Sequence, residues 1–194
     1  MRHKMKYEAL KKNLIDDDER DENNRRIIRL NVTDDSNFLS PLSMKGNPLI
    51  SSETAEFLNL NIKHNLKDSG VKLIISSNVI DEAEKEVYKA AIHNYYRVEY
   101  KAVWKDLRRN LFLSIIMLLI SACIFALAVI LEATTNASAV ILNMIDVFAW
   151  VFTWEAVDTL FLQRPKLHKE QKRNAAAIGA EIVFIYENGE GKQN

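Results

Sequence analysis

The run Ile141–Phe161, ILNMIDVFAWVFTWEAVDTLF, holds three carboxylates, Asp146, Glu155 and Asp158, in an otherwise apolar stretch with no Lys, Arg or His. Acids in such a setting can do three kinds of chemistry. Two that share a site can divide the acid and base roles of a catalytic dyad. A set of them can carry protons or ions through a bilayer. Each can also hydrogen-bond a partner helix. Spacing argues against the dyad. Asp146 and Glu155 are nine residues apart. At roughly 100° per residue that is about 900°, half a turn past two whole turns, so the two acids point in opposite directions.

Asp146 shares a helical face with Ala139, Trp150, Thr153 and Val157, with Asn143 and Ala149 at its edges. A second apolar run, Leu111–Leu131, offers Ala122 and Ala126 beside Ser121. Small residues let helices approach and polar ones bond across the gap. This places Asp146 in a seam between the two runs, satisfied by protonation, a polar neighbour, water or a partner chain. Glu155 then faces away, towards lipid or a second protein. Asp158 lies where Arg164 and Lys166 can reach back to it.

Other chemistry finds no residues to carry it. The five glycines form neither a dinucleotide-binding nor a phosphate-binding loop, and no serine sits in a nucleophile elbow. One cysteine, Cys123, cannot close an internal disulfide or hold a structural zinc. His3, His64, His93 and His168 are scattered. The chain is therefore read as no enzyme, with no cofactor and no metal. Its 26 basic and 26 acidic residues balance, which gives no electrostatic reason to expect nucleic acid.

Leu111–Leu131, LFLSIIMLLISACIFALAVIL, has no charge over 21 residues. As a helix it is about 31 Å long, the thickness of a bilayer core. A second span is expected over 139–162. Nine basic residues flank the pair: Lys101, Lys105, Arg108 and Arg109 before it, and Arg164, Lys166, Lys169, Lys172 and Arg173 after it. The connecting EATTNAS has none. Such asymmetry places both termini in the cytoplasm and the short loop outside. Arg108, Arg109, Arg164, Lys166 and Lys169 become candidate contacts to lipid headgroups. The N-terminal stretch lacks the apolar core of a secretory signal, in keeping with a cytoplasmic N-terminus.

The remainder reads as a small α+β part. Residues 1–25 form a charged tail, with a short helix possible over Lys4–Leu14. RIIRLNVT (Arg26–Thr33), VKLIISS (Val71–Ser77) and AEIVFIY (Ala180–Tyr186) are β-rich. Ser52–Leu60 reads as a short helix. Asp81 and Glu84 have capping-box spacing before a long amphipathic helix whose stripe is Val87, Ala91, Tyr95, Val98 and Ala102, widened by Tyr88 and Ile92. No proline or glycine lies between Asp81 and Leu131, so that helix can run unbroken into the first span. Pro165 is expected to kink the exit of the second, and Gly179 to end the basic helix that follows. A lone strand is unstable. The strand at 180–186 is therefore expected to join those before the spans, with a two-helix transmembrane hairpin inserted in one small cytoplasmic domain. The divisions are 1–25, 26–110, 111–162 (spans 111–131 and 139–162) and 163–194.

FLSPLSMKGNPLISSETAEFL, VYKAAIHNYY, the two spans, WEAVDTLFLQRP and the final AEIVFIY together resemble a family of uncharacterised small bacterial two-span membrane proteins. The resemblance covers about residues 38 to 186 and implies bacterial origin and this architecture. It brings no activity and no site residue. The reading that results is an inner-membrane interaction or assembly module, with a homo-oligomer or another membrane protein as partner beside the bilayer. The alternative is a subunit of an oligomeric channel or transporter, since two spans per chain cannot enclose a pore.

Overall fold

A computed structural model describes residues 19–43, 45–62, 70–135 and 138–186 of the chain. The short helix expected over Lys4–Leu14 falls outside them. The fold is mixed α and β. In chain order it comprises β1 (Arg26–Val32), α1 (Ser52–Asn61), β2 (Val71–Ser77), α2 (Lys85–Thr134), α3 (Ala139–Asp158), a π-helical turn (Thr159–Gln163), α4 (Arg164–Ile178) and β3 (Glu181–Ile185).

Local chemistry sets the helix ends. Ser51 caps α1 by accepting from the Thr54 amide at 3.2 Å. The capping box before α2 is formed: the Glu84 amide donates to Asp81 Oδ1 at 2.9 Å, and the Asp81 amide to Glu84 Oε2 at 3.4 Å. With no breaker to stop it, α2 runs for 50 residues. Gly179 follows α4, its amide donating to the Ala175 carbonyl at 3.1 Å.

The three strands form one parallel sheet in the order β1-β2-β3. β1 and β2 pair from Arg26↔Val71 to Val32↔Ser77, and β2 and β3 from Lys72↔Glu181 to Ser76↔Ile185. Parallel neighbours need a crossover. The first carries α1, and the second carries α2, α3 and α4. The last strand therefore returns to the sheet begun before the long helices, as its β-rich sequence requires.

Alternation along the strands puts Ile28, Val32, Leu73, Ile75 and Ile182 in one core with Ala55 and Leu58 of α1 and Tyr88, Ala91, Ile92 and Tyr96 of α2. Phe38 joins it, its ring 4.9 Å from that of Tyr88. Each buried tyrosine also finds an acceptor. Tyr88 donates to Asp35 Oδ2 at 2.6 Å and Tyr96 to Asn59 Oδ1 at 3.2 Å. The expected stripe holds at Tyr88, Ala91 and Ile92, and Tyr96, outside it, is buried with them. Val87 and Val98 are exposed, because α2 turns its ring-bearing side inward, where more apolar area is buried and both hydroxyls are satisfied.

The charged tail also ends earlier than its composition suggests. Asp21 Oδ1 accepts from the amides of Asn23 and Arg25 at 3.0 and 2.8 Å. Glu19 pairs with Arg29 at 2.6 Å, and Arg25 pairs with Glu181 of β3. Residues 19–25 thus belong with the sheet.

Candidate functional site

The chain divides into two compact units, one running to Glu99 and resuming at Lys172, the other comprising Tyr100–Gln171. The candidate residues lie in the second unit. Its framework is α2 from Tyr100 onward, α3, the π turn and the first half of α4. Two sets of bonds fix how these run. Ser121 Oγ donates to the Ala149 carbonyl at 2.8 Å and sits 2.6 Å from Thr153 Oγ1. Farther along, Gln171 Nε2 donates to Tyr100 Oη at 3.4 Å. Partners move backward on one side as they move forward on the other, so the pairing is antiparallel.

The less exposed positions of α2 recur at 103, 107, 110, 114, 117, 121, 124, 128 and 131. Those of α3 recur at 142, 145, 149, 152 and 156. Alternating steps of four and three give a heptad seam with knobs-into-holes packing. Its closest points are small: Ser114, Ser121 and Ala128 on α2, and Ala149 and Ala156, both 0% exposed, on α3. Small side chains allow the approach that lets a serine hydroxyl reach a backbone carbonyl on the facing helix.

Beyond Ala156 the steps would next fall on 159 and 163; Thr159 is partly covered, but Gln163 is exposed while Leu160, Arg164, Leu167 and Gln171 are partly covered. The π turn supplies the missing residue. The Arg164 amide donates to the Thr159 carbonyl, five residues back. Pro165 accounts for the wide turn. It has no N–H to donate, and its ring would collide with the carbonyl four residues earlier in a regular helix. The expected kink is therefore realised as an inserted residue, which carries the seam into α4.

The acids take positions that differ from the expected ones. Asp146 is exposed, as is Trp150 at 61%. The seam runs along Ala149 and Ala156, with Asp146 on its flank, so the seam placement of Asp146 is corrected. Ala122 and Ala126 are likewise exposed, and the small stripe that packs is the seven-residue series through Ser121. The reason is backbone approach. Burying an alanine and a serine brings the helices together, whereas burying Trp150 would hold them apart. Glu155 is exposed on the opposite flank, one position before Ala156. Asp158 accepts from Gln163 Nε2 at 3.0 Å, inside the π turn. Arg164 turns into the seam register, and no ion pair joins Asp158 to it or to Lys166 among the described residues.

At the basic ends, the Arg108 guanidinium lies 3.4 Å over the Trp104 ring, and Arg109 pairs with Asp106 at 3.2 Å. Lys166 and Lys169 are exposed. Arg164 is half-buried, and its Nε is sealed from solvent without a hydrogen-bond partner. Much of the remaining surface is apolar. Phe112, Leu119, Val140, Phe148, Trp154 and Phe161 are each more than half exposed. Both helical stretches, Lys85–Thr134 and Ala139–Ile178, are long and apolar enough to cross a membrane.

Among the described residues no three His, Cys, Asp or Glu side chains come together to hold a metal. Sequence reading missed the heptad of small residues and the π turn. The seven-residue spacing of Ser114, Ser121 and Ala128 was the available signal for the first, and Pro165 for the second. No protein-family model, no curated protein and no solved structure matches this chain.

Proposed function

We propose that the chain is a two-span protein of a bacterial inner membrane, both ends cytoplasmic, serving as an anchored interaction or assembly module. The outward apolar surface of α2 and α3 supports membrane residence, since a patch of that extent on a soluble monomer would drive aggregation. The nine-to-none distribution of basic residues supports the orientation. Cysteine-accessibility labelling checks this part: a cysteine in Glu132–Ser138 is expected to react only from outside, and one after Asn194 only from inside. The reverse pattern would overturn the orientation.

The observation that carries the interaction role is Glu155. It is exposed on a helix whose seam is already filled by Ala149 and Ala156. A carboxylate facing lipid near mid-span costs a few kcal/mol, and a partner helix offering donors lowers that cost. Glu155→Leu is expected to reduce crosslinked complexes in native membranes several-fold while leaving expression and helix content unchanged. A parent chain that is monomeric in membranes and captures no partner would leave an anchor without an interaction role.

A further inference from the structure

We propose that Arg164 is the centre of a binding site for the phosphate of an anionic phospholipid, built where the π turn meets α4. The inference rests on the two-span reading above and adds a specific ligand to it.

Arg164 and Arg173 differ from the other basic residues near the spans in having a sealed, unpartnered Nε, and of the two only Arg164 stands at the end of the apolar run. Lys166 and Lys169 are exposed on the outside of α4, where water solvates them and any anion is held only by diffuse attraction. Arg109 already has Asp106. Arg164 sits on the seam register with its Nε sealed and unpartnered. No carboxylate pairs with it among the described residues. Asp158 and Glu170 are the nearest acids in sequence, six residues to either side; Asp158 is bonded to Gln163, and Glu170 is exposed. Leaving a buried donor of a charged group unsatisfied is unfavourable. The sealed Nε holds the guanidinium in place, and its two terminal nitrogens, which are not sealed, present a planar edge suited to a phosphate.

The position selects the source of the phosphate. Arg164 follows the last apolar residue of the second span, Leu162, by two positions, and Arg108 precedes the first, Leu111, by three. Both therefore lie at the depth of headgroups if the spans cross the bilayer. Arg108 stacks on Trp104, which covers one face of its guanidinium and leaves the edge free, so a second cation is held at this level. An aromatic ring with cations at a span end is the composition expected of a membrane–water boundary. The π turn puts Arg164 in this place. With a regular turn the seam position would fall on Gln163, and the guanidinium would rotate out to water.

The test uses the full chain in mild detergent, with phosphatidylglycerol or phosphatidylcholine titrated in and bound lipid counted by native mass spectrometry. The parent is expected to retain phosphatidylglycerol at least tenfold better than phosphatidylcholine. Arg164→Gln should remove most of that preference, and Arg164→Lys, which keeps the charge but not the fork, should remove part of it. Lys169→Gln deletes the same charge from the exposed side and should change retention less than twofold. Equal losses in Arg164→Gln and Lys169→Gln would overturn a specific site, as would a parent with no preference. Should inorganic phosphate at matched concentration displace the lipid fully, the lipid assignment would be overturned in favour of a soluble anion. These outcomes are read in detergent, so they stand apart from failure of the two-span reading, which the labelling experiment decides.

Discussion

Tyr96→Ala is expected to destabilise the sheet-bearing unit by about 3–5 kcal/mol, the range for removing a large aromatic from a packed core. Tyr96 is 0% exposed and lies among Ile75, Leu58 and Ile92 on the inner face of α2. Its ring meets Tyr95 edge-on at 5.3 Å, and its hydroxyl donates to Asn59 of α1. Burial pushes that hydroxyl above its usual range, so it stays a proton donor at any physiological pH. Truncation removes the ring and strands the Asn59 acceptor at once. Tyr96→Phe keeps the ring and should cost only about 0.5–1.5 kcal/mol. Denaturant titration followed by circular dichroism separates the two. A Tyr96→Ala chain within about 1 kcal/mol of the parent, a bound set against the range for such truncations, would show that this core does not hold the unit together.

The inward turn of Tyr96 also shows where sequence reading stopped. Short runs rich in β-branched residues named β1, β2 and β3, because that preference is local and needs no tertiary information. Asp81 and Glu84, Ser51, and Gly179 named helix ends for the same reason: each acts within one turn of itself. The phase of a helix is different. On α2, Val87 and Tyr88 belong to one broad apolar stripe, and its centre is set by tertiary partners remote in sequence, the core it packs on and the acceptors Asp35 and Asn59. On α3 apolar side chains occur on every face, and Asn143, Asp146, Thr153, Glu155 and Asp158 are spread round the helix, so hydrophobicity does not fix the phase. There the choice fell to size, since Ala149 and Ala156 admit the backbone of a neighbour and Trp150 and Trp154 do not. The π turn was harder still. Pro165 announces that something must yield, but the sequence around it does not say whether the helix bends or gains a residue.

Ala149→Phe is expected to separate α2 from α3 along the seam. Ala149 is 0% exposed, and its carbonyl accepts from Ser121 Oγ at 2.8 Å and from Thr153 Oγ1 at 3.1 Å. A phenyl ring at that position has no space unless the helices part. Overpacking of this kind costs about 1–3 kcal/mol. Loss of the serine bond adds roughly 0.6–2 kcal/mol, the range for hydrogen bonds between helices in membranes. The separation is read by oxidative crosslinking. With Cys123→Ala as background, Ser121→Cys and Thr153→Cys place two thiols where the hydroxyl oxygens lie 2.6 Å apart, and a disulfide should form readily. Adding Ala149→Phe should reduce its rate at least tenfold. Adding Val151→Phe, at a position 57% exposed, should leave it unchanged. Asp146→Leu sharpens the result. A buried seam acid would perturb the crosslink when replaced, whereas an exposed one on the flank should not, and the structure places Asp146 on the flank. A crosslink that survives Ala149→Phe but fails with Asp146→Leu would return the seam to the face of Asp146 and Trp150. It would also remove the reason for treating Glu155 as the acid left without a partner.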